Sequence, residues 1–217
     1  MSLADPHAAM PVLAAGAPLA EAQAAVVLVH GRGASAEDIL GFSGPLARPG
    51  IAFLAPQAAE HTWYPQRFLA PLAANEPWLS SALAKLADVR AAIAAAGIAD
   101  DRIVWLGFSQ GACLASEYVA RHPRRWGGLI AAVGGRIGPQ GTAFDDGGDL
   151  GRTPVYLGCG DPDPHIPWAR VDESAAAFTR QNAAVTLRRY PGFPHSVHPE
   201  AVSFARQLLE TVGTSRG

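Results

Sequence analysis

The chain has little cysteine: Cys113 and Cys159 are the only two in 217 residues. A disulfide framework needs a short, Cys-dense chain, and two cysteines fit no zinc-ligand spacing. Both therefore read as buried small hydrophobes. Charge is sparse and balanced. Charged residues make up 17% and the formal net charge is −2. That excludes a broad electrostatic pull toward nucleic acid or an anionic membrane. Long apolar runs are missing too. Every candidate is broken by His, Gly or a charge well short of the roughly 20 residues of a membrane span, so no stable membrane insertion is expected. No Lys or Arg precedes Arg32, so the basic start of a secretory signal is absent and a cytoplasmic location is the expectation. There is neither an internal repeat nor a second compositional regime.

What is present is an ordinary globular balance, with 49% hydrophobic residues. The length suits one domain, read here as residues 24–217, with residues 1–23 an Ala- and Pro-rich N-terminal arm or edge hairpin. Short, almost wholly apolar runs at Ala24–His30, Ile51–Ala55, Arg102–Phe108, Trp126–Val133, Pro154–Gly158 and Val185–Tyr190 read as strands, several buried on both faces. Helices are expected from Ser35 or Ala36, from Pro77 to Gly97, and over Gln110–Arg121, Trp168–Gln181 and Pro199–Val212. Strands alternating with helices predict an α/β architecture: a mostly parallel sheet covered on both faces, with no large cap. Ligands of such sheets bind beyond the carboxyl ends of the strands. His30, Ser109, Asp163 and His195 all fall there.

Gly107-Phe108-Ser109-Gln110-Gly111 matches Gly-x-Ser-x-Gly, placed between an expected strand and an expected helix. In a chain with 23 glycines the pattern alone is a frequent coincidence. Its context is what makes Ser109 the candidate nucleophile. Glycines flanking the turn remove the Cβ atoms that would collide there, and the helix behind it aims amides and a positive dipole end at the reacting centre.

A serine hydroxyl needs a base, usually histidine, and an acid to orient that histidine. In the Ser, acid, His chain order, His195 in Gly192-Phe193-Pro194-His195 is the leading base, since His198 directly precedes Pro199 and reads as a solvated helix start. His61, His122 and His165 read as surface or loop residues. The acid comes from Asp161 or Asp163, with Asp163 favoured because Asp161 has a use as a turn residue. Asp145, Asp146 and Asp149 in the preceding loop are more distant alternatives. The cluster Asp161, Asp163 and His165 could suggest a metal, but its prolines stiffen the loop and nothing nearby completes a ligand set. For the oxyanion hole, the backbone N–H of Gln110 is one donor. The N–H of Arg32, in His30-Gly31-Arg32-Gly33, is the other, with Gly31 letting substrate approach; the plain alternative is a connecting Gly turn. Trp63, Tyr64 and Phe68, in a long loop of prolines and aromatics, are candidates for one wall of a substrate site, or for core packing beneath that loop.

These pieces, with Gly160-Asp161-Pro162-Asp163-Pro164-His165-Ile166-Pro167, resemble the phospholipase/carboxylesterase family, which includes acyl-protein thioesterases and small bacterial carboxylesterases. The likeness spans roughly residue 25 to the C-terminus. It implies the α/β-hydrolase fold, a triad of Ser109, Asp163 and His195, oxyanion amides from Arg32 and Gln110, no cofactor, and often a homodimer. The acyl-protein thioesterases typically carry Leu where Arg32 stands, and the loop from Trp63 to Phe68 is unlike theirs. The expected activity is hydrolysis of small-molecule carboxylic esters of short to medium acyl chain, through an acyl-enzyme. The alternatives are thioester or lysophospholipid cleavage on longer chains, or a non-catalytic ligand-binding protein on the same scaffold.

Overall fold

The computed structural model describes residues 5–214; residues 1–4, at the start of the expected arm, and 215–217 lie outside the described residues. Seven strands form one sheet: β1 (Val12–Gly16), β2 (Ala24–Val29), β3 (Ile51–Pro56), β4 (Ile103–Phe108), β5 (Gly128–Ala132), β6 (Pro154–Asp161) and β7 (Ala184–Pro191). Their order across the sheet is β1-β3-β2-β4-β5-β6-β7. All neighbours run parallel except β1, which pairs antiparallel with β3 from Val12 opposite Pro56 to Gly16 opposite Ala52. The connecting helices are α1 (Ala36–Leu40), α2 (Ser43–Leu46), α3 (Trp78–Ala95), α4 (Gln110–Arg121), α5 (Trp168–Arg180) and α6 (Pro199–Thr214).

The central strands are apolar at nearly every position because both faces are covered. Alternate β2 residues go opposite ways. Ala25, Val27 and Val29 join a core with α3, α4 and α5, whereas Val26 and Leu28 join one with α1, α2 and α6. Local chemistry sets the helix starts. Ser35 caps α1: its hydroxyl accepts from the Asp38 N–H while the Asp38 carboxylate accepts from the Ser35 N–H.

Several elements differ from the sequence reading: β6 runs on past Gly158 to Asp161, and the short helix α2 was not expected. β5 is shorter than Trp126–Val133: the Trp126 N–H donates to the Thr153 hydroxyl instead of to a strand, and Val133 leaves the strand at φ 59°. The segment read as an arm or edge hairpin supplies β1 as an edge strand, and before it a fully buried His7. The His7 ring accepts from the Ala59 N–H (3.1 Å) and donates to the Trp63 carbonyl (3.0 Å), tying the start of the chain to the loop after β3. Both cysteines are free and buried.

Candidate active site

The turn from β4 into α4 has no room for a side chain at either of its flanking glycines, Gly107 and Gly111. Ser109 sits there at φ 53°, ψ −119°, a conformation that costs a non-glycine residue energy and persists only when its surroundings impose it. The imposing groups are close. A Cβ on Gly111 would overlap the carbonyl oxygens of Val29 and His30, and one on Gly107 would lie 2.6 Å from the Ala112 nitrogen. Helix α4 therefore rests directly on the end of β2, and the serine is pushed outward at the helix start.

Ser109 Oγ lies 2.9 Å from His195 Nε2, and His195 Nδ1 lies 2.8 Å from Asp163 Oδ2. The other carboxylate oxygen, Oδ1, accepts from the N–H groups of His165 and Ile166, both at 2.8 Å. The Asp163 side chain is fully buried. Burial pushes its pKa up, but the two amides and His195 outweigh that, so the carboxyl stays below its usual range and remains ionised. An ionised Asp163 fixes the proton of His195 on Nδ1, which leaves Nε2 as an acceptor facing the serine hydroxyl. The His195 ring packs against Phe108, tilted with ring centroids 5.2 Å apart, and edge to face against His165 at 4.9 Å.

Arg32 and Gln110 are both at the site. Among the described residues neither backbone N–H has an acceptor, so both are available to a developing oxyanion. Their side chains hold the wall opposite. The Gln110 amide accepts from the Trp63 N–H (2.9 Å) and donates to the Tyr64 carbonyl (2.8 Å). The Arg32 guanidinium donates to the carbonyls of Tyr64, Pro65 and Gln66 at 2.8–3.0 Å.

A cavity of about 540 Å³ opens over Ser109, with Gly31, Tyr64 and Phe68 in its lining. Tyr64 and Phe68 serve both proposed uses at once, as members of the core whose faces also line the cavity. Trp63 does not reach it. The ring is 0% exposed, its indole N–H donates to the His30 carbonyl (2.9 Å), and it packs against the rings of His7 and His30. Trp63 thus braces the wall from behind. Cys113 lies at the cavity's inner end, where burial pushes its thiol up to about 12 and keeps it protonated.

Several residues sit in or behind the site in a way that the sequence did not assign. His165 is exposed, as a loop residue should be, yet it lines the cavity and abuts His195. Its place two residues after Asp163 is the signal that could have found it. His30 is fully buried: its Nε2 accepts from the Ala58 N–H, so its proton is on Nδ1, donating to the Gly31 carbonyl. Asp161 pairs with Arg189, and Asp146 with Arg136, so neither is available to His195. Of the three residues Asp161, Asp163 and His165, Asp161 turns to Arg189, whereas Asp163 faces His195 and accepts from the His165 N–H.

The model of the phospholipase/carboxylesterase family matches residues 12–213. The crystal structure of a phospholipase/carboxylesterase from Dyadobacter fermentans superposes with a TM-score of 0.89 at 42% identity, covering 93% of this chain and 97% of that one. The Bacillus cereus carboxylesterase shares the fold at a TM-score of 0.70 and 19% identity, covering 94% of this chain and 95% of that one. Acyl-protein thioesterase 1 of Saccharomyces cerevisiae is 31% identical over 122 residues; the match spans 53% of this chain and 53%, about half, of that curated relative. With the family match running from β1 into α6, the chain belongs to the phospholipase/carboxylesterase family of ester-hydrolysing enzymes.

Proposed function

We propose that the protein is a carboxylesterase that cleaves esters of short to medium acyl chain through Ser109, His195 and Asp163. The observation that carries this reading is the unbroken hydrogen-bond chain from Ser109 through His195 to an ionised, buried Asp163.

Ser109 Oγ attacks the ester carbonyl carbon as its proton passes to His195 Nε2. The carbonyl oxygen becomes an oxyanion held by the N–H groups of Arg32 and Gln110. As the carbon–oxygen bond to the leaving group breaks, His195 returns the proton to the departing alcohol. Water then attacks the acyl-enzyme, giving a proton to His195 and releasing the acid. That proton goes back to Ser109. Asp163 stays ionised throughout and steadies the imidazolium.

A cavity of about 540 Å³ lies within the usual range for small-molecule sites, which supports a small-molecule ester as the partner. The test is a series of 4-nitrophenyl esters of rising acyl length, with Ser109→Ala measured alongside. Serine-dependent activity peaking at short to medium chains is expected. Retention of most activity by Ser109→Ala overturns the mechanism, and a peak at long chains overturns the chain-length reading.

The partial likeness to a yeast protein named as an acyl-protein thioesterase supports a second reading, cleavage of thioesters by the same residues. Matched oxygen and sulfur esters of one acyl group separate the two.

A further inference from the structure

Resting on the esterase reading above, we propose that the acyl side of the cavity takes an acyl chain ending in a carboxylate. The substrate class is then the half-ester of a dicarboxylic acid, with Arg67 and Arg32 receiving its free carboxylate.

The cavity lining carries two arginines, Arg32 and Arg67, and no Asp or Glu. Asp163, behind His195, is fully buried and already holds His195 and two backbone amides. The fixed charge facing an entering substrate is therefore positive.

Neither arginine has a carboxylate partner among the described residues. This contrasts with Arg136 and Arg170, which meet Glu117, Asp146 and Glu173. Arg32 spends three of its five N–H groups on the carbonyls of Tyr64, Pro65 and Gln66. Carbonyls orient a guanidinium but do not cancel its charge, and two N–H groups stay available. Arg67 is exposed, with no hydrogen-bond acceptor for its side chain among the described residues, so it is free to turn toward a ligand. A guanidinium edge matches the two oxygens of a carboxylate.

Position assigns the anion to the acyl half. The leaving group must sit by His195, which protonates it. The acyl chain is left with the apolar wall of Tyr64 and Phe68; Arg67 directly precedes Phe68 in the same lining, and the Arg32 guanidinium is bonded to the Tyr64 carbonyl. An apolar spacer followed by an anion fits that order.

The experiment compares mono-4-nitrophenyl adipate with 4-nitrophenyl hexanoate, esters of equal chain length that differ in the terminal carboxylate. Ser109→Ala supplies the background rate. Hydrolysis of either consumes one water and releases 4-nitrophenol with adipate or hexanoate. At low salt, kcat/KM for the adipate ester should exceed that for the hexanoate ester about tenfold, mostly through KM. The ratio should fall in 0.5 M NaCl, fall about fivefold or more in Arg67→Gln, and fall less in Arg67→Lys, which keeps a charge. A wild-type ratio of one or below, beside serine-dependent hexanoate hydrolysis, overturns the anion preference and leaves the esterase reading standing. A ratio unchanged in Arg67→Gln overturns the role of Arg67. No hydrolysis of either ester by folded wild-type protein overturns the esterase reading itself.

Discussion

Replacing Asp163 with Asn should disable the protein in a specific way that the hydrogen bonds of its loop dictate. The two amides of His165 and Ile166 point at Oδ1 and need an acceptor. An asparagine side chain must therefore keep its oxygen there and turn its NH2 group toward His195 Nδ1. Two donors cannot face each other, so His195 must give up the Nδ1 proton and carry it on Nε2 instead. That proton then points at Ser109 Oγ, 2.9 Å away, and the base is lost. In the Ser-His-Asp template this wrong-tautomer effect lowers kcat about 10⁴-fold, which corresponds to roughly 5 kcal/mol of transition-state stabilisation. The assay is kcat on a short-chain 4-nitrophenyl ester, with circular dichroism to confirm folding. Asp163→Ala provides the control, because alanine imposes no tautomer and should leave kcat equal to or above that of Asp163→Asn. An Asn variant within tenfold of wild type, or one clearly more active than Ala, would refute the reasoning.

Gly111→Ala drives a Cβ into the carbonyls of Val29 and His30, which are backbone and cannot swing aside. Overpacking of this kind costs about 1–3 kcal/mol. In a chain of this size a melting curve should show a fall in Tm of roughly 3–10 °C, and an unchanged Tm contradicts the account. Glu117 is buried in α4 and accepts from Arg136 Nε and the Ile137 N–H. Glu117→Gln takes away one of the two carboxylates that meet the 1% exposed Arg136 and leaves Asp146 as its ion-pair partner, so urea unfolding should show a loss of about 1.5–3 kcal/mol, and an unchanged midpoint counts against it. His7 and His30 are held neutral by burial, which lowers both below the ordinary 6.5. As pH drops through 6.5 the unfolded chain takes up protons that the folded protein refuses. The stability they contribute is thus complete above 6.5 and drains as pH falls from 6.5 toward their folded values. Tm should fall between pH 7.5 and 5.5, and a level Tm over that interval would be inconsistent with the two buried rings.

The sheet's central strands were legible because burial on both faces leaves one solution, a run such as Ala24–Val29 with no polar side chain. The sharp turn at Ser109 was legible because it demands glycine at 107 and 111, with a strand before and a helix behind. The choice between Asp161 and Asp163 lay beyond composition, since two residues of the same type differ only in what folds against them: Arg189 for one, His195 for the other. β1 was hard to see because Val12 to Gly16 carry no polar side chain, so the alternation of exposed and half-buried positions along it leaves no polar–apolar pattern in the sequence. The wall of the site was harder still. Trp63, Tyr64 and Phe68 share one loop, and which of them faces the cavity depends on the contacts of His7 and Gln110, remote in sequence. The amide side chain of Gln110 gives no local signal at all, since its partners lie 46–48 positions away.

The central claim is that Ser109 is made nucleophilic by His195. The most direct measurement is labelling of the folded protein with a fluorophosphonate, followed by mass spectrometry of the digested adduct. One label per chain is expected, on the peptide carrying Ser109, with activity lost in step, and labelling should be slow in His195→Ala and absent in Ser109→Ala. A label on another residue, or full esterase activity in protein labelled to completion at Ser109, would contradict the account.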